Sequence, residues 1–293
     1  MITIDYSILK EVYHERPEWS HKGDFGKVLI IGGSKIYTGS PALVAYGALA
    51  ALRAGCDIVM IAAPERPADI IAKFSPNLIT TPFEGDYFTS KHLKKVLELS
   101  KNYDAIAIGP GLGIEKETQK FVIKFIEEIK KPCVVDADAL KAIEKRKLSK
   151  NFVLTPHAYE FYFITGERPK YDLTTRAEMV RRNAKKFGAT ILLKGAIDII
   201  SDGEKIAINR TGNPYMSVGG TGDVLTGICA SLLAQGVSPF KSACAAAYIN
   251  GRAGDLAAKE KRPLLATDII DKIPEVLKDV LPLPKEKEAE TKE

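Results

Sequence analysis

Residues 217–227 read SVGGTGDVLTG, glycines and small hydroxyls followed by an acid and an apolar run. Gly219, Gly220 and Gly222 stand within four residues of Asp223, directly ahead of a helical pattern. That arrangement offers the backbone N–H groups of residues 219–222 to an anion. Asp223 falls in the first turn of the same helix, where its charge would repel a phosphate bound alone. Two readings stay open on the residues themselves. Either the acid does chemistry at the anion's edge, or it favours the helix dipole, worth a few tenths to about one kcal/mol.

In an open parallel sheet, ligands gather beyond the carboxyl ends of the strands, so the residues that follow each apolar run come next. KVLII (27–31) runs into GGSKIYTGS. A P-loop needs Lys and then Ser or Thr after its last glycine, whereas Gly39 is followed by Ser40 and Pro41, which excludes an ordinary P-loop NTPase. AIAIG runs into GPGLG (109–113), which is no dinucleotide fingerprint but leaves a stretch around Gly111 without side chains to block a ligand. CVVDA ends in Asp136 and Asp138, carboxylates that could hold a metal or a substrate hydroxyl; Asp138 reads as the cap of a helix starting at Ala139. FVLT leads into PHAYE, with His157 and Glu160 on one side of a first helical turn. TILLK ends in Lys194, either a point charge for a nucleotide phosphate or a surface lysine.

The elements that must position these residues alternate along the chain. KVLII, IVMIA (58–62), AIAIG (105–109), CVVDA (133–137), FVLT (152–155) and TILLK (190–194) read as strands covered on both faces. Helices are predicted at 40–55, with Ser40 as N-cap, Pro41 in the first turn and Gly55 at the end, and at 117–131 and 176–188. A hairpin at 197–209 turns on Asp202-Gly203. From Thr221 the pattern is helical: 221–235, an Ala-rich stretch to about 259, and 267–280. The fold class is α/β, a doubly wound, mainly parallel sheet with helical layers on both faces and a helical C-terminal part. Residues 1–280 form one domain, and the charged, Pro-containing tail 281–293 is read as disordered.

The bulk numbers agree with a soluble globular chain of 293 residues, 45% hydrophobic and 27% charged, with net charge +5. Lys and Arg are interleaved with Asp and Glu, without the basic block of a nucleic-acid binder. Cys56, Cys133, Cys229 and Cys244 lie in apolar runs without C-x-x-C spacing, which reads as buried thiols in a cytoplasmic protein. No leader and no apolar run of membrane-spanning length is evident.

Taken in order, HKGDFGKVLIIGGSKIYTGSPALVA, IGPGLG, VVDADAL, LTPHAYEF, LLKGAIDII and NPYMSVGGTGDVLTG resemble the ADP/ATP-dependent NAD(P)H-hydrate dehydratases. These are carbohydrate-kinase-like members of the ribokinase-like superfamily, and the resemblance spans about residues 20–280. It implies a three-layer α/β/α fold and a stand-alone dehydratase that works with a separate NAD(P)HX epimerase. The implied reaction restores NADH or NADPH from the S form of NADHX or NADPHX: the added ring hydroxyl takes a phosphoryl group from ADP or ATP, and phosphate then leaves. By resemblance, Asp223 is the base at that hydroxyl and the amides of Gly219, Gly220, Thr221 and Gly222 are the anion hole. Lys194, Gly195, Ala196, Ile197 and Asp198, with Gly222, would line the nucleotide. Ser40, Gly111 and His157 would touch the hydrated dinucleotide, while Asp136 and Glu160 would order Mg2+ through water. The resemblance also implies a homotetramer.

Two departures from the family pattern blur the substrate contacts: Ala158-Tyr159 stands where Pro-Gly is usual, and Ser40 where Ala is common. The nearest rival is a small-molecule kinase of the same fold, such as a hydroxyethylthiazole kinase, which would keep its phosphorylated product. A non-catalytic nucleotide-sensing module could keep the glycine loop but would not need Asp223.

Overall fold

The computed structural model describes residues 1–35, 39–144 and 146–281. Ile36, Tyr37 and Thr38 of the first glycine loop, and all of the charged tail except Leu281, lie outside them. The chain opens with β1 (Ile2–Thr3), α1 (Ser7–Val12), β2 (Lys27–Ile31), α2 (Ser40–Arg53), β3 (Ile58–Pro64), α3 (Glu65–Ala72) and β4 (Ile79–Phe83). It continues through α4 (Leu93–Ser100), β5 (Ala105–Ile108), α5 (Lys116–Glu128), β6 (Cys133–Val135), β7 (Phe152–Leu154), α6 (Ala158–Thr165) and α7 (Leu173–Phe187). It ends with β8 (Thr190–Leu193), β9 (Asp198–Ser201), β10 (Ile206–Asn209), α8 (Thr221–Ala234), α9 (Pro239–Glu260) and α10 (Ala266–Leu277).

The ten strands among the described residues join one sheet in the order β1-β10-β9-β8-β7-β6-β5-β2-β3-β4. Pairing is parallel except where β9 runs antiparallel between β8 and β10. Alternate residues of each strand enter opposite cores: Val28 and Ile30 pack with α2, α8, α9 and α10, while Leu29 and Ile31 pack with the layer of α4, α5, α6 and α7. Burial on both faces is why these strands read as continuous apolar runs. The chain steps outward from β2 to β3 and β4, then returns to place β5 on the other side of β2. At that reversal the loops after β2 and β5 meet, the Gly33 amide donating to the Pro110 carbonyl at 2.9 Å.

The structure corrects several expectations of detail. The β9–β10 hairpin pairs Ser201 with Ile206, so its loop spans residues 202–205 rather than two residues. Asp202 accepts from the amides of Glu204 and Lys205 at 2.9 and 2.8 Å, an Asx turn that lengthens the Asp-Gly signal. Gly39, not Ser40, is the N-cap of α2, and no side chain caps that end. Asp138 caps nothing; it lies within the 3-10 turn Ala137–Ala142 and accepts from the Gly113 amide at 3.0 Å and from Lys141 at 2.9 Å. All four cysteines are free and buried, as their apolar settings predict.

Helix α8 is placed with little tolerance. A Cβ on Gly227 would overlap the Gly47 carbonyl of α2, and a Cβ on Gly47 would lie 3.1 Å from the Asp223 carbonyl. The two glycines let α2 and α8 cross at backbone contact, and that crossing fixes where the amino end of α8 points.

Candidate active site

Every residue singled out from the strand ends does lie at a carboxyl end of the parallel strands. Asp136 follows β6, His157 follows β7, Lys194 follows β8, and the glycine loops 32–33 and 109–113 follow β2 and β5. Where these two glycine loops meet, the Ser40 hydroxyl donates to the Gly111 carbonyl at 3.1 Å and accepts from the Ser34 amide at 3.3 Å. Gly111 has φ 62°, and a Cβ there would overlap the Ser40 hydroxyl. Ser40 therefore ties two loops together, a local task that a capping hydroxyl would not have performed.

The amino end of α8 faces the middle of this row. Gly220 is its N-cap at φ 95°, where an added Cβ would come to 2.9 Å from Tyr46 and Ala266. The first N–H groups of a helix have no acceptor within it, so the amides of Gly220, Thr221 and Gly222 can meet an anion, whereas the Val224 amide already bonds the Gly220 carbonyl. The Thr221 hydroxyl is turned away from that task and donates to the carbonyls of Met216 and Val218 at 3.1 Å each. Asp223, in the first turn, is 9% exposed. Burial, with repulsion from Asp136, pushes its carboxyl up to about 8, against the pull of Lys194.

Lys194 supplies the positive charge within this group of acids. Its ammonium lies 3.1 Å from Asp136 Oδ1 and 4.0 Å from Glu160 Oε2. Gly222 makes room for it, since a Cβ there would stand 3.2 Å from Nζ. Burial works against the charge, but Asp136, Glu160 and Asp223 outweigh it and hold the lysine protonated. Glu160 is shifted upward by its own burial, with Lys194 opposing. It also closes a capping box with His157: Oε2 accepts from the His157 amide at 2.9 Å, while His157 Nδ1 accepts from the amides of Tyr159 and Glu160. His157 Nε2 lies 3.5 Å from Glu160 Oε1, and the residue lines the neighbouring cleft.

A cleft of ≈ 640 Å³ opens beside Lys194 and Gly222, bounded by the loop after β8, α9 and the segment leading into α8. Gly195, Ala196 and Asp198 line this cleft. Ile197 does not: its side chain packs into the core beneath and its carbonyl accepts from Arg176 at 2.9 Å. Asp198 braces the loop, accepting from the Gly195 amide and from Asn209 Nδ2 at 3.0 Å each. Burial lifts its carboxyl to about 6, and the Asn209 bond holds it back. The far wall is seated on α9 by two glycines: a Cβ on Gly251 would overlap Thr211, and one on Gly254 would overlap Met216.

Asp136 and Glu160 do not form a coordination shell. Both Asp136 oxygens are engaged, one by Lys194 and the other by Thr226 at 2.7 Å, and the ammonium fills the space between the two acids. Among the described residues no cluster of three or more His, Cys, Asp or Glu could hold a metal ion. Thr226 escaped the sequence reading because a hydroxyl inside an apolar helical stripe carries no spacing signal; its only mark is a polar atom on the face that meets the sheet.

The model of the NAD(P)H-hydrate dehydratase family matches residues 28–275. The chain belongs to that family. A bifunctional NAD(P)H-hydrate repair enzyme of Pyrobaculum aerophilum is 46% identical over 88% of this chain, which corresponds to 52% of that protein. The chain spans about half the length of the bifunctional relatives it matches. An ADP-dependent (S)-NAD(P)H-hydrate dehydratase of Cenarchaeum symbiosum is 43% identical over 88% of this chain and 91% of that protein. The solved ADP/ATP-dependent NAD(P)H-hydrate dehydratase of Bacillus subtilis, co-crystallised with ATP and Mg2+, superposes with a TM-score of 0.81 at 30% identity. That match covers 94% of this chain and 97% of the other. The dehydratase family carries a ribokinase-like fold here, with the large, mostly parallel sheet described above. Among the described residues, no helix is long and apolar enough to cross a membrane.

Proposed function

We propose that this protein dehydrates the S form of NADHX or NADPHX to NADH or NADPH, with ADP, or ATP in its place, as phosphoryl donor. The observation that carries the reading is Asp223 in the first turn of α8, within charge-interaction range of Lys194, with Lys194, Thr221 and Gly222 lining the adjacent cleft. The nucleotide lies along residues 194–198 with its terminal phosphate toward Gly222. Asp223 accepts the proton of the ring hydroxyl as that oxygen attacks the terminal phosphorus, and AMP or ADP departs. The amides of Gly219, Gly220, Thr221 and Gly222 and the Lys194 ammonium take up charge on the transferring oxygens. Breaking the carbon–oxygen bond then releases phosphate, a neighbouring ring proton leaves, and the double bond returns. So the carboxylate beside the anion seat faces the hydroxyl, not the phosphate.

Ser40, Gly111 and His157 are the contacts to the hydrated dinucleotide, at the carboxyl edge of the sheet. Asp136 and Glu160 would hold the nucleotide's Mg2+ through water, and that ion would supply positive charge at the phosphates. The name of the Cenarchaeum relative supports ADP as the donor. The same reading includes a homotetramer, a cytoplasmic setting and an epimerase as working partner.

The test is the near-ultraviolet absorbance of reduced nicotinamide with hydrated NADH, Mg2+ and ADP, ATP or no nucleotide. The expected result is a rise that needs a nucleotide, is faster with ADP and is lost in Asp223→Asn. No rise with either nucleotide on either hydrated dinucleotide would refute the reading.

A further inference from the structure

Thr226 lies one turn after Asp223 on α8 and is 1% exposed. Its hydroxyl donates to Asp136 Oδ2 at 2.7 Å, from α8 to the residue after β6. The other oxygen, Oδ1, accepts from Lys194 at 3.1 Å. A carboxylate engaged at both oxygens cannot rotate without breaking one of the two bonds. The backbone constrains it further: Ala137 has φ 49°, the one left-handed non-glycine residue among those described. Such a conformation persists only where the surroundings enforce it.

The ammonium needs this constraint more than most groups would. Lysine is a point charge on a flexible stem with three rotatable donors, so its position has to be imposed from outside. Asp136, Glu160 and Asp223 all draw it. Of these, Asp136 is tied to α8 by a neutral donor, and that donor is Thr226. The circuit closes on the same helix, because Gly222 leaves 3.2 Å between its absent Cβ and Nζ. A buried threonine in a helix commonly bonds back to the carbonyl a turn earlier; here it reaches a different element.

We propose that Thr226 is a positioning residue for nucleotide binding: through Asp136 it holds the Lys194 ammonium at the amino end of α8. The proposal rests on the reading of residues 194–198 as the nucleotide site.

The test is calorimetric titration of the full chain with ADP in the wild type, Thr226→Val and Thr226→Ser, with melting temperatures alongside. The valine variant keeps the shape and removes the donor; it should weaken ADP roughly tenfold, while serine stays within about threefold of wild type. In an Asp136→Asn background the valine change should add little, because the two act through one bond. A valine variant that melts earlier yet binds ADP as wild type does would overturn the proposal, since that is what a merely structural threonine gives. A wild type that binds ADP but does not dehydrate would refute the functional reading, and the three affinities would still decide the role of Thr226. A wild type that binds no ADP would overturn both.

Discussion

The setting of Asp223 gives the proposed reaction a pH dependence that an exposed aspartate would not. Its carboxyl is pushed up to about 8, mainly by burial and then by repulsion from Asp136 and Glu160, with Lys194 pulling the other way. A general base works only when ionised. At pH 7 about one molecule in ten carries the ionised acid, and at pH 9 about nine in ten, since one pH unit is tenfold. The rate constant kcat/KM should therefore rise about tenfold between those values and then level. Lys194, held protonated by its acids, stays charged across this range. Removing the Asp136 charge by Asp136→Asn should move the limb toward lower pH, because Asp136 is the charge that most opposes ionisation of Asp223. The assay is initial rates of nicotinamide recovery at constant ionic strength, with both substrates well below saturation. A flat wild-type profile, or a limb in the usual carboxylate range, would refute this account of Asp223.

The same acid also bears on stability. Its folded value lies above the ordinary 3.8, so the folded state holds the proton more tightly and stability falls as pH rises from about 4 through about 8. Asp223→Asn should thus melt higher than wild type, by a gap that widens from pH 6 to pH 9; a constant gap would contradict the linkage. Lys194→Met should leave the buried Asp136 and Glu160 without their cation, costing about 3 kcal/mol in denaturant unfolding and abolishing nucleotide binding. Gly227→Val should cost about 3 kcal/mol or prevent folding, because its side chain would meet the Gly47 carbonyl where α2 and α8 cross. Wild-type melting behaviour in that variant would mean the crossing is looser than described.

Much of this site was legible because phosphoryl chemistry leaves compositional marks. Glycines ahead of an apolar stripe located the start of α8, and apolar runs ending in Asp, His or Lys located the carboxyl edge of the sheet. What stayed hidden depends on three-dimensional partners. Ser40 looked like a cap because its type and place fit one, but the close approach of Gly111 gave its hydroxyl another partner. Asp138 looked like a cap for the same reason and instead braces the loop at Gly113. Ile197 sits in a loop whose neighbours line the cleft, yet its apolar side chain follows the core. Strand β4, ITTPF, was missed because Pro82 and two threonines mask an edge strand that pairs on one side only. Thr226 needed its partner 90 residues away before it meant anything.

The measurement that bears most directly on the central claim is the fate of the phosphoryl group. With hydrated NADH, ADP and Mg2+, inorganic phosphate and NADH should appear together, in equal amounts and at the same rate, with AMP as the third product. A phosphorylated dinucleotide that accumulates without free phosphate or NADH would contradict a dehydratase and make the protein a kinase of the same fold.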